Sequence, residues 1–302
     1  MRDATSIGHA RGAAAVAAAS VLWGTTGTAA SALPDDVSPL AVGASTMAVG
    51  GAILFALSWR PALTVLRVAG ARAWVIAGAA GVVAYALAFY AATHFAGVAI
   101  GNVVALGSGP LFAAALEGVL ERRVPSRRWI ISTVVAVAGV VLLAAGDSGI
   151  APNVPLGVAL GLLAGFSYAL YTYASGRAMR AGGSSRGAVG IVFGLAALPL
   201  AVVLVVLGGP LLQSGTSVGI AAYLALGPMV LAYSLFGAGL AVIRASTATT
   251  ISLVEPVVAT ALAVLVVGER PGVVGWIGLG LIVVAVAALV SARHPDAAHE
   301  SP

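Results

Sequence analysis

The sequence predicts an all-α membrane protein, ten transmembrane helices arranged as two inverted five-helix repeats. Three observations carry that expectation. Of 302 residues, 60% are hydrophobic and only 8% charged, whereas water-soluble domains carry about 25% charged residues. Ten apolar runs are each long enough to cross a bilayer, which takes roughly 20 residues. The second half of the chain echoes the first at a nearly constant offset.

The runs cover residues 13–33, 40–59, 73–93, 95–117, 129–146, 155–175, 187–208, 218–240, 246–267 and 272–291. Pro, Gly, Asp and Arg separate them, as at Pro34-Asp35-Asp36 and Gly208-Gly209-Pro210. None alternates apolar with polar residues as barrel strands do, so they read as helices. Arg2, Arg11 and the small residues Ala30-Ser31-Ala32 also resemble a cleavable signal peptide. Cleavage would leave nine spans and break the repeat, so the first run is read as a helix. Cysteine is absent, which excludes disulfides and thiolate metal sites.

Charge sets the orientation. With the amino terminus in the cytoplasm, the inner segments hold Arg2, Arg11, Arg60, Arg67, Arg72, Arg122, Arg123, Arg127, Arg128, Arg177, Arg180, Arg186, Arg244 and Arg293. The outer loops hold Arg270 alone, with Asp35, Asp36, Asp147 and Glu269. Both termini are therefore expected inside, with 1–12 and 292–302 as cytoplasmic tails of a cell-membrane protein. The basic balance is an orientation signal towards anionic lipid, and no nucleic-acid partner is expected.

The repeat pairs Trp23 with Tyr168, Pro110 with Pro256, Glu121-Arg122 with Glu269-Arg270 and Trp129 with Trp276, at offsets of 145 to 148 residues. Residues 13–146 form one unit and 155–291 the other. Five spans per unit is an odd number, so the halves enter the membrane in opposite senses. Inverted repeats build a site near the midplane that opens to either side, which points to a transporter.

The stretch EPVVATALAVLVVGER at 255–270, the last helix rich in Gly, Ile and Val, and VLWGTTGT at 21–28 resemble the EamA-type drug/metabolite transporter superfamily. The resemblance covers nearly the whole chain as two tandem domains. It implies ten helices in two inverted repeats and movement of small metabolites, often amino acid or drug efflux. One departure stands out: Pro110 to Glu121 is eleven residues, but Pro256 to Glu269 is thirteen.

Glu255 and Pro256 fall near the middle of the ninth run. A charged carboxylate at the bilayer centre costs about 3 kcal/mol on insertion scales, so it needs a reason to be there. Proline lacks an N–H and frees the carbonyl four residues earlier, that of Ser252, beside the hydroxyls of Thr249, Thr250 and Ser252. Broken helix at that depth is tolerated where it lines a cavity. Two roles stay open for Glu255: binding a proton or a substrate ammonium group, or tying two helices together. Pro110 and Pro256 are expected as helix hinges. Gly109, not a carboxylate, precedes Pro110, so the site is expected to take its acid from one repeat only.

Other candidates follow from residue type and position. Asn102 lies eight residues before Pro110 in the same span and contacts either substrate or another helix. Trp23 with Thr26, Tyr85, Tyr168, Tyr171 and Tyr233 offer aromatic faces with polar handles, suited to a part-apolar metabolite. Packing is the alternative for each. Glu117 is expected to snorkel to the interface or pair with Arg122 or Arg123. Trp59, Trp74, Trp129 and Trp276, at span ends, read as interfacial anchors, and His94 as an interfacial residue at an outer turn. Gly157, Gly161 and Gly165 form one small-residue seam, and Gly97 with Gly101 another.

No phosphate-binding GxxxxGK[ST] motif appears, so gradients must drive any uphill transport. No HExxH motif and no nucleophile beside a base appears. Catalytic residues, metal ligands and cofactors are not expected, while proton or ion coupling stays open. The leading expectation is a secondary transporter that exports a small metabolite by alternating access. A channel-like facilitative permease is the alternative and an intramembrane enzyme a remote one. Small molecule and lipid are the expected partners, and the protein is expected as a monomer or homodimer.

Overall fold

A computed structural model describes residues 2–145, 152–268 and 270–291, with side chains omitted for 2–7 and 267. Asp147, Glu269 and Arg293, and the tail 292–302, lie outside the described residues. Among the described residues, ten helices are long and apolar enough to cross a membrane. They are α1 (Gly8–Ala30), α2 (Pro39–Leu57), α3 (Ala71–Ala96), α4 (Val98–Glu121), α5 (Arg127–Ala144), α6 (Val154–Arg180), α7 (Ser185–Leu207), α8 (Gly215–Leu240), α9 (Ala245–Val266) and α10 (Val273–Val290).

Local chemistry starts several of them. The side chains of Ser38, Ser126, Asn153 and Ser184 each accept an N–H three residues ahead, satisfying donors that a helix start leaves free. Serines and threonines inside spans mostly bond back one turn, as Ser20 does to the Val16 carbonyl and Ser252 to the Ala248 carbonyl.

The register of the contacts gives the inversion. Gly51 of α2 abuts the Phe193 carbonyl of α7, Gly190 of α7 abuts Leu54, and Gly187 abuts Pro61. Numbers rise along α2 as they fall along α7, so these equivalent helices run antiparallel. The pair α5 and α10 does the same. Gly139 meets the Gly278 carbonyl, and Arg128 at the start of α5 donates from Nε to the Ala288 carbonyl near the end of α10, at 3.1 Å. Around these self-paired helices, contacts recur in equivalent sets. α3 packs on α6 as α1 packs on α8, and α4 packs on α6 as α1 packs on α9.

The segment after α2 holds a further helix. Trp59–Arg67 is a short helix that buries Ala62 and Val65 and leaves Trp59 exposed beneath the Arg60 guanidinium, 5.1 Å from the ring centroid. Trp129 is no interfacial anchor. It is buried, with its indole N–H unpartnered, because α5 packs there against the other half. Gly97 belongs to no seam. It takes φ 85° in the turn joining α3 to α4, a conformation that favours glycine, while Gly101 alone packs on Thr93. The Gly157, Gly161 and Gly165 seam is present, facing Ala96, Val104 and Ser108.

Candidate functional site

α9 changes character at its centre. Ala245–Ile251 is α-helical, Ser252–Val254 tightens into a 3-10 turn, and α-helix resumes over Glu255–Leu262. Pro256 is the cause, since it cannot donate to the Ser252 carbonyl. That carbonyl is not left free as the sequence alone suggested. The N–H of Glu255 reaches it instead, one residue sooner than in an α-helix. The break is thus a local tightening that sets Glu255 at the start of a new helical segment. Pro110 behaves differently. It is buried within an α4 that stays helical from Val98 to Glu121.

Two more spans lose regular helix. α1 is interrupted at Thr25, between Arg2–Gly24 and Thr26–Ala30. α8 widens to a π-helical stretch over Ala225–Leu231, around Gly227-Pro228, a deformation common at functional positions. α1, α8 and α9 pack on one another, so the irregular turns gather on one side. The equivalent trio, α6, α3 and α4, is continuous.

Glu255 is half-buried and lies within electrostatic range of Tyr85, Tyr90, Tyr168 and Tyr233. The backbone of Glu255 meets Gly24 of α1, where a Cβ would sit 2.9 Å from its carbonyl oxygen. Next to that glycine, Trp23 donates its indole N–H to the Pro228 carbonyl at 2.9 Å, tying α1 to the widened turn of α8. The Trp23 ring lies 5.0 Å from Tyr233 and 5.2 Å from Phe236, centroid to centroid.

From Tyr233 the aromatic network crosses to the other trio. Its hydroxyl shares a 3.1 Å hydrogen bond with that of Tyr171. Tyr171 lies 5.8 Å from Tyr85 and 5.4 Å from Tyr168. Phe193 of α7 wedges in, 4.3 Å from Tyr233. All five aromatic candidates therefore belong to one connected cluster spanning both repeats. Phe193, Phe236 and Tyr90 join it unforeseen from the sequence, since nothing local distinguishes them from packing residues.

The pseudo-symmetric counterpart of Glu255 is Gly109. A Cβ there would sit 2.8 Å from the Tyr168 ring, so the repeat equivalent of Trp23 occupies the space beside the glycine. The Tyr168 hydroxyl is buried beside Ser252 without a well-formed hydrogen bond. The second repeat thus contributes both the acid and this phenol, and the first contributes the glycine.

The remaining candidates stand apart. Asn102 is on the second turn of α4, half-buried, with no side-chain hydrogen bond among the described residues. Thr26 follows the break in α1, but it is Thr25 that bonds outward, sharing a 2.7 Å hydrogen bond with the Tyr223 hydroxyl, while its own hydroxyl also lies 2.6 Å from the Leu22 carbonyl one turn back. Glu117 neither snorkels nor pairs with Arg122 or Arg123. It is buried, and its carboxylate accepts two bonds from Ser246 at the start of α9. A helix N-terminus presents free N–H groups and partial positive charge, and the packing of α4 against α9 offers that partner instead of an arginine. Arg123 goes to Glu121 instead.

Comparison with known proteins places this arrangement. The chain matches the EamA-like transporter family twice, over residues 10–145 and 155–291. A relative described as an uncharacterized transporter, YwfM of Bacillus subtilis (strain 168), is 33% identical over 291 residues, covering 94% of this chain and 96% of its own. A solved crystal structure aligns with 92% of this chain and 95% of its own at a TM-score of 0.76 and 24% identity, a likeness of fold.

Proposed function

As the chain belongs to the EamA-like transporter family, we propose that it is a secondary transporter that carries a small metabolite, an amino acid or drug-like compound, outward across the cell membrane by alternating access. The observation that carries this reading is the position of Glu255. The carboxylate sits mid-span on a broken helix, within range of tyrosines from both inverted repeats. A group there meets the cytoplasm or the outside according to which half-channel is open.

The division of the helices supports a mechanism. The interrupted trio α1, α8 and α9 is the wall that shifts, because 3-10 and π turns bend more readily than continuous helix. The continuous trio α3, α4 and α6 is the wall it moves against, held by glycine contacts such as Gly81 on Ser167 and Tyr171. Glu255 binds a proton or the ammonium group of the substrate, and the aromatic cluster covers its apolar part. Both termini lie in the cytoplasm, and the protein works as a monomer or homodimer without a cofactor.

The test is flux in proteoliposomes under imposed pH and Na⁺ gradients, with a panel of amino acids and amphipathic amines. E255Q keeps the fold and loses pH-driven flux. Undiminished pH-driven flux in a folded E255Q protein removes Glu255 from the mechanism.

A further inference from the structure

We propose that the cleft where α3 begins and α4 and α6 end is a binding site for the phosphodiester of an anionic membrane lipid. The cleft measures about 580 Å³ and is lined by Trp74, Leu120, Glu121, Arg123, Arg177 and Arg180 among others. Three guanidinium groups converge there on one carboxylate. Arg123 Nε lies 3.3 Å from Glu121 Oε2, and Arg177 Nη1 and Arg180 Nη2 lie 3.5 and 3.1 Å from Oε1. Tyr173 donates its hydroxyl to the same oxygen at 3.0 Å.

The charges do not balance. Three cations face one anion, so the cluster is left with positive charge to neutralise. Nor are the donors used up. A guanidinium carries five N–H donors in a planar fork suited to phosphate, and each arginine here turns a single nitrogen to Glu121. The forks are held in place before any ligand arrives. Arg177 lies 5.2 Å from the Trp74 ring and Arg180 5.9 Å from the Tyr173 ring, while Trp74 packs edge-on against Tyr173 at 5.5 Å. Glu121 is only 16% exposed, against 35% to 50% for the three arginines, so the acid lies beneath the bases and leaves their outer edges open.

Location selects lipid over a soluble phosphate. Arg180 is the last residue of α6, Glu121 the last of α4, and Trp74 sits in the first turn of α3, so the cleft lies where hydrocarbon gives way to headgroups. Beside the charges, Leu120 and Val119 are 49% and 80% exposed, a surface for the glycerol and upper acyl chain. This is the arginine-rich end of the bundle, the end that faces the anionic leaflet when the basic ends point inward.

The full-length protein, purified in neutral detergent, is mixed with phosphatidylglycerol or phosphatidylcholine. Retained lipid is counted by native mass spectrometry, and thermal unfolding is followed in parallel. Phosphatidylglycerol is retained preferentially and raises the melting temperature more than phosphatidylcholine does. R177Q and R180Q each lower its retention roughly fivefold without changing that of phosphatidylcholine. E121Q, which removes the competing anion, raises its retention and keeps the proposal testable should the arginine variants unfold. Equal retention of the two lipids, or no gain in E121Q, overturns the proposal. Protection by millimolar glycerol 3-phosphate equal to that by phosphatidylglycerol also overturns it and assigns the cleft to a soluble phosphate.

Discussion

Glu117 and Ser246, 129 residues apart, are joined by two hydrogen bonds: the Ser246 N–H to Oε1 at 3.1 Å and the Ser246 hydroxyl to Oε2 at 2.7 Å. A carboxylate from the first repeat thereby caps the helix of the second repeat that carries Glu255. S246A loses the hydroxyl contact but keeps the backbone one, and is expected to cost roughly 1.5–3 kcal/mol. E117A leaves both donors buried and unpaired and costs more. Unfolding in mixed micelles measures both, and an E117A protein as stable as the parent would refute the clamp.

Pro256 produces the 3-10 turn by withholding a donor from Ser252. P256A restores that donor, so α9 regains α-helical bonding there and the protein gains stability. If the turn serves conformational change, flux falls while stability rises. Melting temperature and initial transport rate, measured on one preparation, separate the two effects.

The hydroxyls of Tyr171 and Tyr233 satisfy one another across the helix interface. Y171F or Y233F alone leaves one buried hydroxyl unpaired and costs about 1–2 kcal/mol. The double variant removes both and is expected to lose less than the sum of the singles. A double-mutant cycle on unfolding free energy reads the coupling; strict additivity means that the pair contributes nothing.

Glycines separate by what surrounds them. Gly165 abuts Ser108 and the Ala105 carbonyl, whereas Gly219 has no atom in the way of a Cβ. G165A forces α6 away from α4 and costs roughly 1–3 kcal/mol. G219A is neutral or stabilises by up to about 1 kcal/mol, the helix-propensity difference. Equal losses in the two variants would mean that the seam between α4 and α6 is not close-packed.

Orientation is testable because the chain has no cysteine of its own. R270C is expected to react with an impermeant maleimide on intact cells, and R186C only after permeabilisation. The reverse pattern inverts the assigned topology.

Much of the architecture could be read from the chain. Apolar length fixes the ten spans, since lipid demands that each crossing satisfy its own backbone bonds. The echo of Trp23 in Tyr168 and of Pro110 in Pro256, with five spans per half, foretold the antiparallel contacts of α2 with α7. Aromatic residues near polar ones in mid-span identified Trp23, Tyr85, Tyr168, Tyr171 and Tyr233, which the fold brings into one cluster. Hydroxyl-bearing spans and the glycine seam of α6 were equally legible, because both depend on residues one or two turns apart.

Partners across the bundle were not legible. Nothing near Glu117 in the chain points to Ser246, and nothing near Glu121 points to Arg177 and Arg180. Local reasoning gave Glu117 to the neighbouring arginines, but Arg123 pairs with Glu121, to which helix packing adds Arg177 and Arg180. Trp129 faces inward for the same kind of reason, since the rotation of a helix about its axis depends on what it packs against. By itself the sequence determined how many helices are apolar and long enough to cross a membrane and which residue types lie near their middles, because these follow from solvent and backbone. Only the tertiary structure decided which acid caps a helix, which gathers arginines and which stands among tyrosines, because buried polar groups take the partner that packing brings within reach.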